Sequence, residues 1–262
     1  MTERKKSGRH TVLAVGAHPD DIEFMMAGTL ALLGRKGWKI HCLNVANGSC
    51  GTATETRQAI IKRRKGEAKK ACALIGAHWH GSFCNDLEIT YTPELISRIL
   101  AVVRKVKPRI MLVPSPTDYM EDHSIAARLA VTAGFARGMR NFPCQPHVAP
   151  ANFPLTVYHA LPYGLRGPLR ERITASQFVD IAPVMEVKTR MLACHKSQKE
   201  WLDKSQGLGS YLEELWKQAR DVGKMSGLFK MAEGWRRRSH LGFTVEDTDP
   251  LWEELGRKVV SS

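Results

Sequence analysis

Strand and helix signals alternate along the first half of this chain, and that alternation limits the fold more than any other feature. Thr11 to Gly16 is a short β-branched and apolar run closed by glycine, the pattern of a strand buried on both faces. From Asp21 onward, Ile22, Met25, Met26, Leu30 and Leu33 recur at helical spacing until Gly34 and Gly37 close the segment. Lys39 to Val45 reads as a second strand, and Asn47 to Thr54, rich in Gly, Ser, Thr and Asn, reads as a loop. Arg57 to Leu74 is a long helix with Ile60, Ile61, Ala68, Ala71, Cys72 and Leu74 on its apolar face. His78 to Phe83 is a weaker third strand. Pro93 to Val106 carries Leu95, Ile99, Leu100 and Val103 on one helical stripe, Arg109 to Val113 is a fourth strand, and Asp122 to Arg137 is a helix. Strands separated by helices of this length form βαβ units, whose right-handed crossovers build a doubly wound parallel sheet. The expected fold is α/β: a Rossmann-like, three-layer αβα arrangement around a mainly parallel sheet.

The second half is harder to read. Met139 to Phe153 is proline-bearing and irregular, Leu155 to Ala160 reads as a fifth strand, and Phe178 to Ile181 is the candidate sixth. Beyond that the pattern is helical, through Val184 to His195 and Leu208 to Phe229. No repeat, low-complexity tract or linker divides the chain. The expectation is one domain over residues 1–262, with a βαβ core at about 11–140 and a mostly helical C-terminal part.

Chemistry-bearing residues gather at two strand ends. Ala17-His18-Pro19-Asp20-Asp21-Ile22-Glu23 follows the first strand and opens a helix. Pro19 suits a first helical turn, and the helix dipole favours ionised Asp20 and Asp21 there. Ionised carboxylates beside a neutral imidazole are what a divalent metal requires. The alternative is a simple helix cap, which needs one acid and explains neither His18 nor the second. Asp118-Tyr119-Met120-Glu121-Asp122-His123 follows the fourth strand. A lone histidine at a helix start is more often a surface residue than a ligand. His123 gains weight from topology, because strands one and four are neighbours in the 3-2-1-4 order and ligands bind in the crevice at their carboxyl ends. A dinucleotide site would need G-x-G-x-x-G after the first strand, whereas no glycine follows Gly16 until Gly28.

These residues resemble those of the PIG-L/LmbE-like de-N-acetylases, a family that includes the N-acetylglucosaminyl-phosphatidylinositol deacetylases and the deacetylases of mycothiol and bacillithiol synthesis. The likeness spans roughly residues 11–140 and includes Arg64-x-x-Glu67 followed by Leu74-Ile75-Gly76. It implies the LmbE-like version of the fold and zinc-dependent hydrolysis of an N-acetyl group from a sugar or sugar conjugate. His18, Asp21 and His123 would be the zinc ligands, with another divalent ion such as Fe2+ as the alternative metal. Asp20, not a ligand, would be the general base, Glu23 and Asp122 would support the ligands from behind, and Arg64 would contact substrate. Arg64 also reads as one more charge on a basic helix, with Lys62, Arg63 and Lys65 solvated around it. One departure stands out. The family often has His-Pro-Asp-His where this chain has Met120-Glu121-Asp122-His123, and Met120 can act neither as an acid nor as a hydrogen-bond donor. His195 and His240 are the candidate replacements, each more readily a structural residue. A member that binds metal without turnover and a hydrolase of another amide are the competing readings.

The formal net charge is +13, which favours acidic partners. Its clusters, Lys62 to Lys65, Lys69-Lys70 and Arg236 to Arg238, lack the aromatic interleaving of a nucleic-acid surface. The expected partner is therefore a small N-acetylated sugar, with no nucleic acid, and a homo-oligomer as one option. No apolar run is long enough for a membrane span. The polar start from Met1 to His10 does not read as a secretory signal, so a cytoplasmic address is expected. The six cysteines are scattered, without a C-x-x-C pair that would argue for a thiolate metal site.

Overall fold

A computed structural model describes residues 10–205 and 211–261; the basic stretch before His10 and the expected helix start at Leu208 lie outside them. The described elements are β1 (Thr11–Gly16), α1 (Asp21–Met25), α2 (Ala27–Arg35), β2 (Lys39–Asn44), α3 (Arg57–Ala73), β3 (His78–Trp79), α4 (Pro93–Val106), β4 (Ile110–Val113), α5 (Glu121–Phe135), β5 (Thr156–Ala160), β6 (Gln177–Asp180), α6 (Met185–Leu192), α7 (Lys196–Ser205), α8 (Tyr211–Met225), β7 (Ala232–Arg237), α9 (Pro250–Leu255) and β8 (Val259–Ser261). All the strands join one sheet in the order β3-β2-β1-β4-β5-β7-β6-β8. The pairings from β3 through β5 are parallel. The β5–β7, β7–β6 and β6–β8 pairings are antiparallel.

The pleat of β1 sorts the core into two layers. Val12 and Ala14 face a cluster with Ile22, Leu30 and Leu33, which α6, α8 and α9 extend through Leu192, Leu215 and Leu251. Leu13 and Val15 face the other way, onto Ile99, Leu100 and Val103 of α4 and Leu129 and Ala130 of α5. Alternate side chains of a strand point to opposite faces, so a strand buried on both sides must be apolar throughout. That requirement made β1 readable in the sequence.

Two features depart from the expected elements. Besides the helices α6 to α9, the C-terminal part holds two strands that its sequence did not announce, β7 and β8, and β7 is the strand through which β6 joins the parallel half. Its sequence, AEGWRR, carries three charged residues and gives no apolar run to detect. Their partners lie outside the strand: Glu233 meets Gly28, Thr29 and Lys188, Arg236 meets Ser115, and Arg237 meets Asp247. The helix expected from Asp21 to Leu33 is two helices broken at Met26. The break frees the first amides of α2. The Glu233 carboxylate, arriving from β7, accepts from Gly28 N at 2.7 Å, Thr29 N at 2.7 Å and Thr29 Oγ1 at 2.6 Å. Lys188 Nζ donates to the same carboxylate, and Trp235 Nε1 donates to Thr29 Oγ1 at 3.1 Å. Position 28 must be glycine, because a Cβ there would lie 2.5 Å from Ile181 Cγ2.

Lys188 and Glu233 are both buried. Burial holds the Lys188 ammonium below its ordinary value, with Glu233 pulling the other way. Breaking such a pair strands a charge, so Glu233→Ala is expected to cost about 3–5 kcal/mol in urea unfolding. Adding Lys188→Met to that variant should recover the part due to the stranded ammonium and not the part due to the Gly28 and Thr29 donors, which stay unpaired. A second response concerns the sheet edge, where His41 Nδ1 and His80 Nε2 lie 2.8 Å apart. Burial first, and then the charge of neighbouring histidines and lysines, hold both rings down to about 4. An unfolded imidazole titrates near 6.5, so the folded chain resists protonating these rings. The stability this represents is complete above about pH 6.5 and is lost as the pH falls toward 4. Tm should drop over that window, and a His41→Asn, His80→Asn protein should drop less. Parallel curves would show that these rings do not set the acid response.

Candidate metal centre and active site

β1 and β4 are parallel neighbours, with Val12 opposite Ile110 and Ala14 opposite Leu112. Their carboxyl ends therefore deliver two loops to one crevice, and His18, Asp21 and His123 meet there. Each offers a ligand atom within 4.8 Å of the others, and all three are buried. Carboxylates behind them decide which atoms face inward. His18 Nε2 lies 2.9 Å from Asp122 Oδ2, which also accepts from Leu87 N at 2.8 Å. His123 Nδ1 lies 3.0 Å from Asp118 Oδ1. Asp21 Oδ2 accepts from the backbone N of His18 at 2.8 Å, and Asp21 Oδ1 is 3.4 Å from His123 Nε2. What remains for a cation is His18 Nδ1, Asp21 Oδ1 and His123 Nε2. Two imidazoles and one carboxylate, each imidazole backed by its own carboxylate, is a donor set that suits a divalent ion and leaves a coordination position open.

Burial opposes ionisation at all three residues, and mutual attraction overcomes it. The carboxyl of Asp21 is held well below its ordinary range by His123 and His18. Against burial, the His18 ring is held above its ordinary value by Asp122 and Asp21, and the His123 ring by Asp21 and Asp118.

Asp20 stands beside this group on the same cavity, with its carboxylate oxygens held by other partners. It occupies the residue before α1, yet its side chain makes no capping bond there. Its φ of 110° is left-handed, a conformation that costs a non-glycine residue about 1–2 kcal/mol. Oδ1 receives Arg64 Nη2 at 3.3 Å, and Oδ2 receives the Tyr211 hydroxyl at 2.5 Å. Burial keeps the Asp20 carboxyl above its ordinary range, with Arg64 opposing and Asp21 adding to the rise. A helix cap thus accounts for neither acid.

Arg64 is the member of its basic run that turns inward, buried on α3, where it also donates to Pro19 O at 2.5 Å. Arg63 is not simply solvated: it pairs with Glu55 at 2.7 Å, Glu67 at 3.4 Å and Glu200 at 2.8 Å, which ties α3 to α7. Glu23 is buried against His195, 3.4 Å from its Nε2. His240 is half-exposed, 3.6 Å from Asp247.

The crevice opens into a cavity of about 320 Å³. Met120 lines it, and among the described lining residues the imidazoles are those of His18 and His123; neither His195 nor His240 reaches it. One wall is aromatic. The Tyr119 ring stands edge-on to His123 with centroids 5.8 Å apart, and contacts run on to Tyr163, Phe24 and Tyr211. Asp86, also on the lining, holds the Gly48–Cys50 loop through the amides of Gly48 and Cys50, at 2.7 and 2.9 Å. Sequence reasoning missed Asp118, Asp86, Gln198, Trp201 and Tyr211. Asp118 had a signal, since it shares the second cluster with His123. The others lie in loops or helices of ordinary composition.

The family model for GlcNAc-PI de-N-acetylases, PIG-L, matches residues 13–134. The chain is 31% identical over 236 residues to the diacetylchitobiose deacetylase of Thermococcus kodakarensis, covering 86% of this chain and 82% of that protein. This chain belongs to the PIG-L family. Among solved structures, the N,N'-diacetylchitobiose deacetylase of Pyrococcus horikoshii has a TM-score of 0.71 at 22% identity, covering 92% of this chain and 88% of that one. The 4-carboxy-2-hydroxymuconate hydratase of Pseudomonas putida has a TM-score of 0.70 at 22% identity, covering 92% and 98%. At that identity the two structures speak for the fold, an LmbE-like α/β architecture, and not for the reaction.

Carboxylates that orient ligand histidines typically carry 10–100-fold in metal affinity. Asp118→Asn should therefore weaken binding of a divalent ion by about that factor in competition with a chromophoric chelator. Unchanged affinity would separate Asp118 from the metal site.

Proposed function

We propose that this PIG-L family chain is a metal-dependent hydrolase that releases acetate from an N-acetylated amino sugar or its conjugate. The observation that carries the reading is the placement of Asp20: a buried carboxylate facing the same cavity as the His18, Asp21 and His123 group, yet outside that donor set. His18, Asp21 and His123 would hold the metal, zinc in this reading. A divalent ion there supplies Lewis-acid polarisation of the amide carbonyl and a nucleophile usable at neutral pH. Asp20 then does the proton work. It accepts the proton of the attacking water as the oxygen adds to the acetyl carbon, and returns it to the nitrogen as the C–N bond breaks. The products are acetate and a free amine, with no organic cofactor consumed.

The cavity walls fit a small sugar. Aromatic rings such as Tyr119 and Tyr163 offer apolar faces, and Arg64 and Gln198 add polar groups to the lining. Among the described lining residues Arg64 is the cationic side chain, and it is already engaged with Asp20 and Pro19. The net charge of +13 is therefore not gathered at the site, which argues for a neutral substrate over nucleic acid. No described helix is long and apolar enough to cross a membrane.

A curated relative also performs different chemistry: the chain is 28% identical over 131 residues to the 4-oxalmesaconate hydratase of Pseudomonas putida, covering 47% of this chain. The deacetylase match is longer and closer, which favours amide hydrolysis. The deciding experiment is acetate release from N,N'-diacetylchitobiose and N-acetylglucosamine by the zinc-loaded protein. Asp20→Asn should lose at least about 10²-fold in kcat while keeping its metal, because asparagine preserves shape but accepts no proton from water. A loss below about tenfold would remove Asp20 as the base.

A further inference from the structure

Tyr211 is the first residue of α8, far beyond the residues 13–134 that match the family model. It is buried, lines the cavity, and stacks on Phe24 with ring centroids 5.8 Å apart and planes 23° from parallel. Its hydroxyl donates to Asp20 Oδ2 at 2.5 Å. Burial, and then the negative charge of Asp20, keep the phenol well above its ordinary value, so it stays a donor throughout the neutral range. We infer that Tyr211 is a positioning residue for the Asp20 carboxylate, so that the active site is complete only when α8 is docked; the inference rests on the reading of Asp20 as base.

The argument is geometric. An aspartate side chain on a left-handed backbone has its carboxylate plane free to rotate about two bonds. Here one oxygen is held from α3 by Arg64 Nη2 and the other from α8 by Tyr211. Two donors on separate oxygens, from elements on separate parts of the chain, fix the plane. Arg64 is itself pinned by Pro19 O, and Tyr211 by its stack on Phe24, so neither donor is loosely placed. Displacing a reacting group by about 1 Å can cost 10²-fold in rate, which is why a residue that touches only the base can matter to turnover.

A double-mutant cycle tests this. Wild type, Asp20→Asn, Tyr211→Phe and the double variant are assayed on N,N'-diacetylchitobiose. Phenylalanine keeps the stack on Phe24 and removes only the hydroxyl. Tyr211→Phe should lower kcat about tenfold or more, the worth of a hydrogen bond to a charged group, with KM and metal content unchanged. The double variant should be no slower than Asp20→Asn, because Tyr211 acts through Asp20. Losses that multiply would place Tyr211 on the substrate and overturn the inference, as would wild-type kcat in Tyr211→Phe or a loss confined to KM or metal content. A wild-type protein that hydrolyses no N-acetyl sugar would instead sink the deacetylase reading. The same proteins unfolded in urea then decide the positioning contact. Coupling of at least about fivefold in the unfolding equilibrium supports it, since contacting residues are non-additive, and additive effects overturn it.

Discussion

The parallel pairing of β1 with β4 sets the carboxyl ends of two strands that are distant in sequence side by side, and every residue of the donor group hangs from one of those ends. Because β1 is buried on both faces, its register against β4 cannot slip by one residue without turning Leu13 and Val15 out of the α4–α5 layer. The packing of the core and the placement of His18 relative to His123 are thus one decision.

Around that frame, a basic protein buries acids, and each of the main ones holds another part in place. Asp122 and Asp118 orient the two imidazoles. Asp86 gathers the amides of the Gly48–Cys50 loop. Glu67, from α3, accepts from Ser197 N at 3.0 Å and Ser197 Oγ at 2.5 Å, satisfying the start of α7. Glu233 does the same for α2. A buried carboxylate without donors is strongly destabilising, and one that takes two or three amides is not. These acids replace local capping with contacts across the fold, so α2 and α7 have their first amides satisfied only in the assembled protein. The positive charge follows the same logic, since Arg64, Arg104 and Arg137 each direct donors to backbone carbonyls. Part of what reads as basic surface in the sequence is internal.

The C-terminal half contributes more to the site than its sequence suggested. Gln198, Trp201 and Leu202 of α7 and Tyr211 of α8 line the cavity, and Tyr211 reaches Asp20. The same half forms the antiparallel edge of the sheet through β6, β7 and β8.

The parallel half of the sheet, its strand order around β1, and the gathering of His18, Asp21 and His123 beside Asp20 were legible in the sequence. Apolar runs buried on both faces carry no polar residues to obscure them, and acids and histidines packed into a few residues at strand ends are hard to account for as caps alone. Met120 was visible as a departure from the pattern of the family that these residues resemble. The remaining features came from contacts between distant segments. β7 left no pattern because Glu233 and Arg236 meet their partners, Gly28, Thr29 and Ser115, in distant segments, and the break at Met26 left none because the carboxylate that receives the freed amides arrives from residue 233. Arg64 and Arg63 read alike in a charge run, yet one is buried against Asp20 and the other bridges glutamates. Tyr211 had no motif at all. Pattern reports what a segment needs from its own neighbours; these residues are defined by what they meet across the fold.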